Sequence, residues 1–204
     1  FWYTGDTINV SIGQGFLDVT ALQLANAYMA LATDGILRTP LAAHSLRSSE
    51  GEILFRFEPK PIGVLPLSAA GQALLQQGVR EVISTGRGTG FSIFRSSSLL
   101  AAGKSGTAED LVAERDPEEE LALREEEPPP EPVEEQVGEG ADMVTEEDED
   151  DGTRNHAWFV AYADVPNPKA LVTVVVDDGE SGAAVAGPIA RLVLERTILS
   201  GWVE

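Results

Sequence analysis

The spacing of apolar residues predicts two helices in the first half of the chain. Thr20 and the glutamine three residues after it form a capping box, and the apolar residues that follow keep helical spacing. This pattern predicts a helix over 20–33. A second helical pattern starts after Ser68, a residue suited to the N-cap position, and stops before Gly86.

Alternating and β-branched runs predict the strands. Residues 53–57 are apolar apart from Arg56 and follow the turn-forming stretch 49–51, which predicts a short strand of a hairpin. Residues 98–107 are small, apolar and interrupted by glycines, as in a strand that another group approaches closely. The runs 156–163 and 170–176 are separated by a turn signal, so they predict a second hairpin.

The last helical pattern covers 183–199 and places Val185, Ile189 and Leu192 on one face. A proline is tolerated only in the first turn of a helix, so the helix proper should begin near Gly187. Helices that precede three strands and one closing helix predict an α/β protein of the α+β type, in which helices cover an antiparallel sheet.

Charge divides the chain of 204 residues into unequal parts. The net charge is −20, of which −19 lies in 109–151 and about −1 in the remainder. The acidic stretch has no aromatic residue and five of the twelve prolines, so it cannot bury enough apolar surface to fold. The sequence therefore predicts a disordered insertion over 109–151 between two parts of one domain, 1–108 and 152–204.

Composition also limits the classes of function. No basic patch is visible that would bind nucleic acid, and no apolar run is long enough to span a membrane. The absence of Cys excludes thiol catalysis, and the two His residues lack ligand-spaced partners, so we expect neither metal nor cofactor. The chain begins at Phe1 rather than Met, and we expect it to be a piece of a longer protein.

The sharpest chemical signal is Lys104-Ser105-Gly106-Thr107, which follows a glycine within the predicted strand 98–107. These residues offer a cation, two hydroxyl donors and an open backbone N–H beside a carboxylate or a developing oxyanion. Four residues alone would also fit an ordinary solvated strand, so the remainder of the chain has to decide between the two interpretations.

Other segments supply that context. The tetrapeptide resembles the lysine box of penicillin-binding proteins and serine β-lactamases. Residues 5–15 and 20–25 resemble the segment that follows the SxN box in class B penicillin-binding proteins, and 82–90 and 156–162 resemble the flanks of the lysine box. In this order and spacing, the segments are most similar to the elongation-type penicillin-binding protein 2 branch.

The resemblance implies the penicillin-binding transpeptidase fold and a DD-transpeptidase, which crosslinks peptidoglycan stem peptides through a serine acyl-enzyme. It implies that Lys104 supplies positive charge and helps to steer protons, while Ser105 and Thr107 bind the substrate carboxylate. The Thr107 backbone N–H would form half of the oxyanion hole, and Gly106 would keep the strand open for an acyl chain added as a strand.

The partners that the resemblance implies are the stem peptide, β-lactams, a glycosyltransferase or elongasome protein, and the remaining N-terminal part of the same protein. It also implies a location in the bacterial cell envelope, at the outer face of the cytoplasmic membrane or in the periplasm.

The sequence departs from the family at the nucleophile. None of the three Lys residues has a Ser three positions before it, and no Ser stands two positions before an Asn. The chain therefore carries one wall of an active site without the SxxK and SxN boxes. Two alternatives remain open at this point: an inactive module that binds peptidoglycan or cell-wall synthesis partners, and a serine β-lactamase or β-lactam sensor.

Overall fold

The computed structural model describes residues 2–111 and 153–201. The chain divides into two compact units, one formed by 1–108 with 155–204 and the other by 109–154. Most of the predicted insertion over 109–151 lies outside the described residues, so its disorder stays a prediction. The fold described below is that of the first unit.

Helices occupy both ends of this unit and the stretch before the lysine box. Their bounds are α1 Thr4–Ser11, α2 Ala21–Ala32, α3 Ala69–Ser84, the short α4 Phe91–Phe94, a π-helical turn Gly182–Ala186 and α5 Gly187–Leu199.

The helix starts that local chemistry predicted are confirmed. Thr20 Oγ1 accepts a hydrogen bond from the Gln23 amide at 3.2 Å, and Gln23 Oε1 accepts one from the Thr20 amide at 2.8 Å. Ser68 Oγ caps α3 by accepting from the Gly71 amide at 3.1 Å. Helix α1 was not predicted, because it has no apolar stripe and buries none of its residues.

Three strands form the central sheet, in the order β5–β6–β7: β5 Ala101–Leu111, β6 Thr153–Ala163 and β7 Ala170–Val176. Strands β6 and β7 form the predicted antiparallel hairpin, with Phe159 opposite Val174. Gly103 packs against Val160, and Gly106 packs against Trp158. Residue numbers rise along β5 while those of the neighbouring β6 residues fall, so β5 also runs antiparallel to β6.

Four short strands form two further antiparallel pairs. Strand β1 (Ile36–Arg38) pairs with β4 (Pro61–Val64), and β2 (Ser45–Arg47) pairs with β3 (Ile53–Arg56). The predicted hairpin around 49–51 is the β2–β3 pair, and Gly51 makes its turn with a φ of +87°. The β1–β4 pair was not predicted, because its strands are too short to show alternation.

The central sheet separates two apolar clusters, because successive side chains on a strand point to opposite faces. On one face, Phe159 and Ala161 pack against α5 and α4. On the other face, Tyr162 packs against α2 and α3. Helices therefore cover both faces of an antiparallel sheet, which confirms the predicted fold class.

The apolar face that the sequence predicts for the last helix is not the face that packs against the core. In α5, Leu192 is 67% exposed, and the helix buries Gly187, Ala190 and Leu194 instead. In α3, Leu74 is exposed, and Val79 and Ile83 are buried. Within the described part of the chain, no helix is long and apolar enough to cross a membrane.

Candidate active site

The lysine box lies on β5, at the edge of the central sheet. Ala101, Ala102 and Gly103 precede it and are buried, so the sheet core fixes the strand up to the first residue of the box. Lys104 is exposed, and its Nζ donates to the carbonyl oxygen of Ser105 at 2.6 Å. The box therefore begins where β5 leaves the core and reaches the surface.

Ser105 is half-buried and pairs with a hydroxyl from another segment. Its Oγ lies 2.9 Å from Thr89 Oγ1. Thr89 stands between two glycines in the loop after α3, and a side chain at Gly88 would overlap the carbonyl oxygen of Val82. This close approach holds the loop against the helix end and places the Thr89 hydroxyl beside the box.

Thr107 is contacted by two segments that are distant in sequence. Gln14 Nε2 donates to the Thr107 carbonyl oxygen at 3.1 Å. The Gly182 amide donates to Thr107 Oγ1 at 3.4 Å, a long hydrogen bond. The backbone of Thr107 and its hydroxyl are thus each oriented by a separate part of the chain.

The start of the π-helical turn sits directly on the lysine-box strand. A Cβ on Gly182 would overlap the carbonyl oxygen of Gly106 and would lie 2.5 Å from that of Trp158. Only a residue without a side chain fits there. Gly182 therefore lets the turn approach β5 closely enough for its amide to reach Thr107.

A buried tyrosine, Tyr162, and a half-buried one, Tyr28, lie on the sheet face opposite α5. Burial raises the pKa of Tyr162, an effect that the positive charge of Arg80 partly offsets. Burial also raises the pKa of Tyr28. Both phenols are therefore neutral at physiological pH.

The other candidates from the sequence are placed elsewhere. His156 Nδ1 lies 3.2 Å from Asp177 Oδ1, at the far end of the β6–β7 hairpin. Among residues 2–111 and 153–201, no group of three His, Cys, Asp or Glu side chains could hold a metal ion.

The structure brings together all four residues of the predicted box and adds three neighbours that the sequence did not identify: Gln14, Thr89 and Gly182. Each of the three is a glycine or stands between two glycines. These glycines indicate a turn or a close backbone approach, but they do not show which distant strand the segment contacts.

Comparison with known proteins identifies the family. The sequence matches the profile "Penicillin binding protein transpeptidase domain" over residues 1–121 and 140–195. The chain belongs to the penicillin-binding protein transpeptidase family. Across the chain it is 32% identical to the peptidoglycan D,D-transpeptidase MrdA of Haemophilus influenzae and 29% identical to MrdA of Escherichia coli, covering 95% and 97% of its own length.

The chain spans about a quarter of the length of these transpeptidase relatives, 26% and 27%. Among solved structures, penicillin-binding protein 2 of Pseudomonas aeruginosa, in complex with WCK 5153, is 28% identical with a TM-score of 0.65. The match covers 97% of this chain and 34% of that one.

A complex of penicillin-binding protein 2 with MreC from Helicobacter pylori has a TM-score of 0.61 at 24% identity, covering 98% of this chain and 28% of that one, and shows the shared fold. These relatives do not favour the two alternatives of an inactive module and a β-lactamase.

Proposed function

We propose that this chain supplies the lysine-box wall of a peptidoglycan DD-transpeptidase, and that a sequence outside residues 1–204 supplies the SxxK and SxN boxes. The observation that carries the proposal is the placement of Lys104, Ser105 and Thr107 on one exposed sheet edge, each contacted by a second group. The named transpeptidase relatives, which match nearly the whole chain, support it.

The chemistry follows from the residues of this edge. The substrate carboxylate is held by the positive charge of Lys104 and by the hydroxyls of Ser105 and Thr107, since charge-assisted hydrogen bonds are the strong ones. The scissile carbonyl accepts a hydrogen bond from the Thr107 N–H. Negative charge develops on that oxygen as the serine of the SxxK box attacks.

The reaction is an acyl transfer in two steps. The serine oxygen forms an ester with the penultimate D-Ala while the bond to the terminal D-Ala breaks, and the terminal residue leaves with a proton on its amine. The amine of a second stem peptide then attacks the ester and gives up a proton to the serine oxygen, so that the new amide bond forms the crosslink and the serine hydroxyl is restored. A β-lactam stops at the ester stage because its leaving group stays attached.

The same family membership supports a cell-envelope location and partners among the proteins of cell-wall synthesis. A solved relative from Helicobacter pylori is complexed with MreC. We propose a scaffold protein of that kind, and a glycosyltransferase, as partners of the complete protein.

The test is acylation by a fluorescent penicillin in the complete reading frame that encodes this chain. Lys104→Ala should lower the second-order acylation rate by about 10- to 100-fold, the range for hydrogen bonds to a charged group. Lys60→Ala, another exposed lysine remote in sequence from the box, is the matched control and should leave the rate unchanged. Equal rates for wild type and Lys104→Ala would contradict the proposal.

A further inference from the structure

Gln14 reaches the lysine-box strand from a turn that is built around it. Its two neighbours, Gly13 and Gly15, have φ angles of +83° and +76°, a region that favours glycine. The Gln14 amide donates to the Asn9 carbonyl oxygen at 2.9 Å, and the Gly13 amide donates to that of Val10 at 3.0 Å. The end of α1 thus fixes the backbone from which the Gln14 side chain projects.

The contact of Gln14 marks the edge of β5 that no other strand of the described sheet occupies. Gln14 Nε2 lies 3.1 Å from the Thr107 carbonyl oxygen. Strand β6 lies on one side of β5, so a carbonyl that accepts from a side chain outside the sheet points to the other side. The N–H and C=O of one strand residue face the same edge. The Thr107 N–H therefore faces the edge where Gln14 lies.

That edge is where an acyl chain would join the sheet as an added strand. In an antiparallel pair, opposite residues exchange two hydrogen bonds. The penultimate D-Ala would accept from the Thr107 N–H through its scissile carbonyl and donate its own N–H to the Thr107 carbonyl. A carbonyl oxygen has two lone pairs, so it can accept from Gln14 and from the acyl chain together.

We propose that Gln14 is a positioning residue, which holds the Thr107 carbonyl so that the hydrogen bond it accepts from the acyl donor's N–H is in place before the donor arrives. The inference rests on the proposed transpeptidase function. It assigns Gln14 to the recognition of acyl donors that carry an amide N–H next to the reacting carbonyl, and no role in reactions of donors that lack this N–H.

The test compares two β-lactams in the complete reading frame. Benzylpenicillin carries an acylamino N–H beside its lactam carbonyl, and penicillanic acid does not. Gln14→Met should slow acylation by benzylpenicillin by about three- to tenfold, the effect of one hydrogen bond, with at most a small change for penicillanic acid. Gln14→Lys restores a donor of similar length and should recover most of the rate.

Gln76→Met is the matched control. Gln76 Nε2 also donates to a backbone carbonyl, that of Leu31 at 2.7 Å, but this hydrogen bond joins α3 to α2 rather than a side chain to the lysine box. This variant should leave the ratio of the two acylation rates unchanged. A general loss of stability would slow both β-lactams equally, whereas the proposed role changes their ratio.

A second measurement reports the contact without activity. Within residues 1–204, Thr–Ala peptide bonds occur only at 20–21 and 107–108, so selective ¹³C-carbonyl threonine and ¹⁵N-alanine labelling of the complete protein gives two signals from this chain. Gln14→Met should shift the Thr107 carbonyl signal and leave that of Thr20 in place. An unchanged Thr107 signal would show that the contact is absent and would overturn the inference.

The remaining outcomes separate the two proposals. If wild type is acylated but Gln14→Met leaves the rate ratio unchanged, the positioning role is wrong and the proposed function stands. If Gln14→Met speeds acylation, the side chain blocks the edge and the positioning role is also wrong. If the wild-type protein reacts with neither β-lactam, the proposed function is wrong. The positioning role is then wrong as well, whether or not the Thr107 carbonyl signal shifts.

Discussion

Strand β6 and the N-terminal turn both contact the lysine-box strand, and they differ in what holds them in place. On the sheet side, Phe159 and Ala161 of β6 are completely buried. On the N-terminal side, α1 and the turn after it bury nothing, and Ile12 and Phe16 are 72% and 79% exposed. The first region lies in the apolar core, whereas the second meets the lysine box through a polar contact, that of Gln14 with Thr107.

The difference separates stability from site geometry. Apolar burial is the dominant favourable contribution to folding, so the sheet and its two clusters should carry the stability of the chain. The N-terminal turn can then change without unfolding the protein, although it orients Thr107. Substitutions in the sheet core should therefore lower the free energy of unfolding. Substitutions in the N-terminal turn should instead change the recognition of the acyl donor and leave the stability nearly unchanged.

The largest expected effect comes from the sheet core. Phe159 has no exposed surface and stacks on Phe94 with ring centroids 6.0 Å apart. Phe159→Ala should lower the free energy of unfolding by about 3–5 kcal/mol, through lost burial and the cavity left behind. Phe16→Ala is the matched change in the N-terminal region and should cost at most about 0.5 kcal/mol. Urea titration measures the free energy of unfolding of both variants. Equal losses of stability would contradict the proposed difference between the two regions.

The second effect tests the glycine that joins the π-helical turn to the box. Gly182→Ala places a Cβ against two backbone carbonyls, which no side-chain rotation can relieve, so we expect a loss of about 2–3 kcal/mol. Gly78→Ala, on the exposed side of α3 with open space around it, should instead stabilise the chain by about 0.5–1 kcal/mol. A Gly182→Ala variant with the same free energy of unfolding as wild type would show that the π-helical turn does not lie this close to β5.

The smallest effect lies at the surface, between α2 and β1. Arg38 donates to Asp34 at 2.6 Å and, with the Ile36 amide, holds the pKa of that carboxyl well below its ordinary value of 3.8. A lowered pKa in the folded state means that the stabilisation is complete above about pH 4 and is lost as the pH falls further.

Asp34→Asn should therefore be slightly less stable than wild type near neutral pH. The stabilities of the two proteins should become more similar as the pH falls. Urea midpoints measured between about pH 6 and pH 2 check this. A difference that grows toward low pH would contradict the assignment of the ion pair.

The same contrast between local and distant contacts explains what the sequence could predict. Thr20 and Ser68 were identified as caps because a cap is made within four residues. The buried face of α5 was missed, because the element that a helix packs against helps to decide which of its faces is buried. Gly187 of α5 is buried because Ile93 and Phe159 lie where its side chain would be. Small residues, rather than Leu192, meet the core there.

The residues of the site also differ in whether the sequence could reveal them. The box at 104–107 is contiguous and therefore visible as a motif, whereas its supports come from far along the chain. The Gln14 contact spans 93 residues and the Gly182 contact spans 75. No local periodicity links such positions, so only the fold shows that they meet at Thr107.

The measurement that tests the central claim most directly is peptide mapping of the penicilloyl adduct in the complete reading frame. The account predicts an ester on a serine outside residues 1–204, with a lysine three positions after it, and weak or absent acylation in the Lys104→Ala variant. An adduct on any serine of this chain, or a protein that penicillin does not acylate at all, would contradict it.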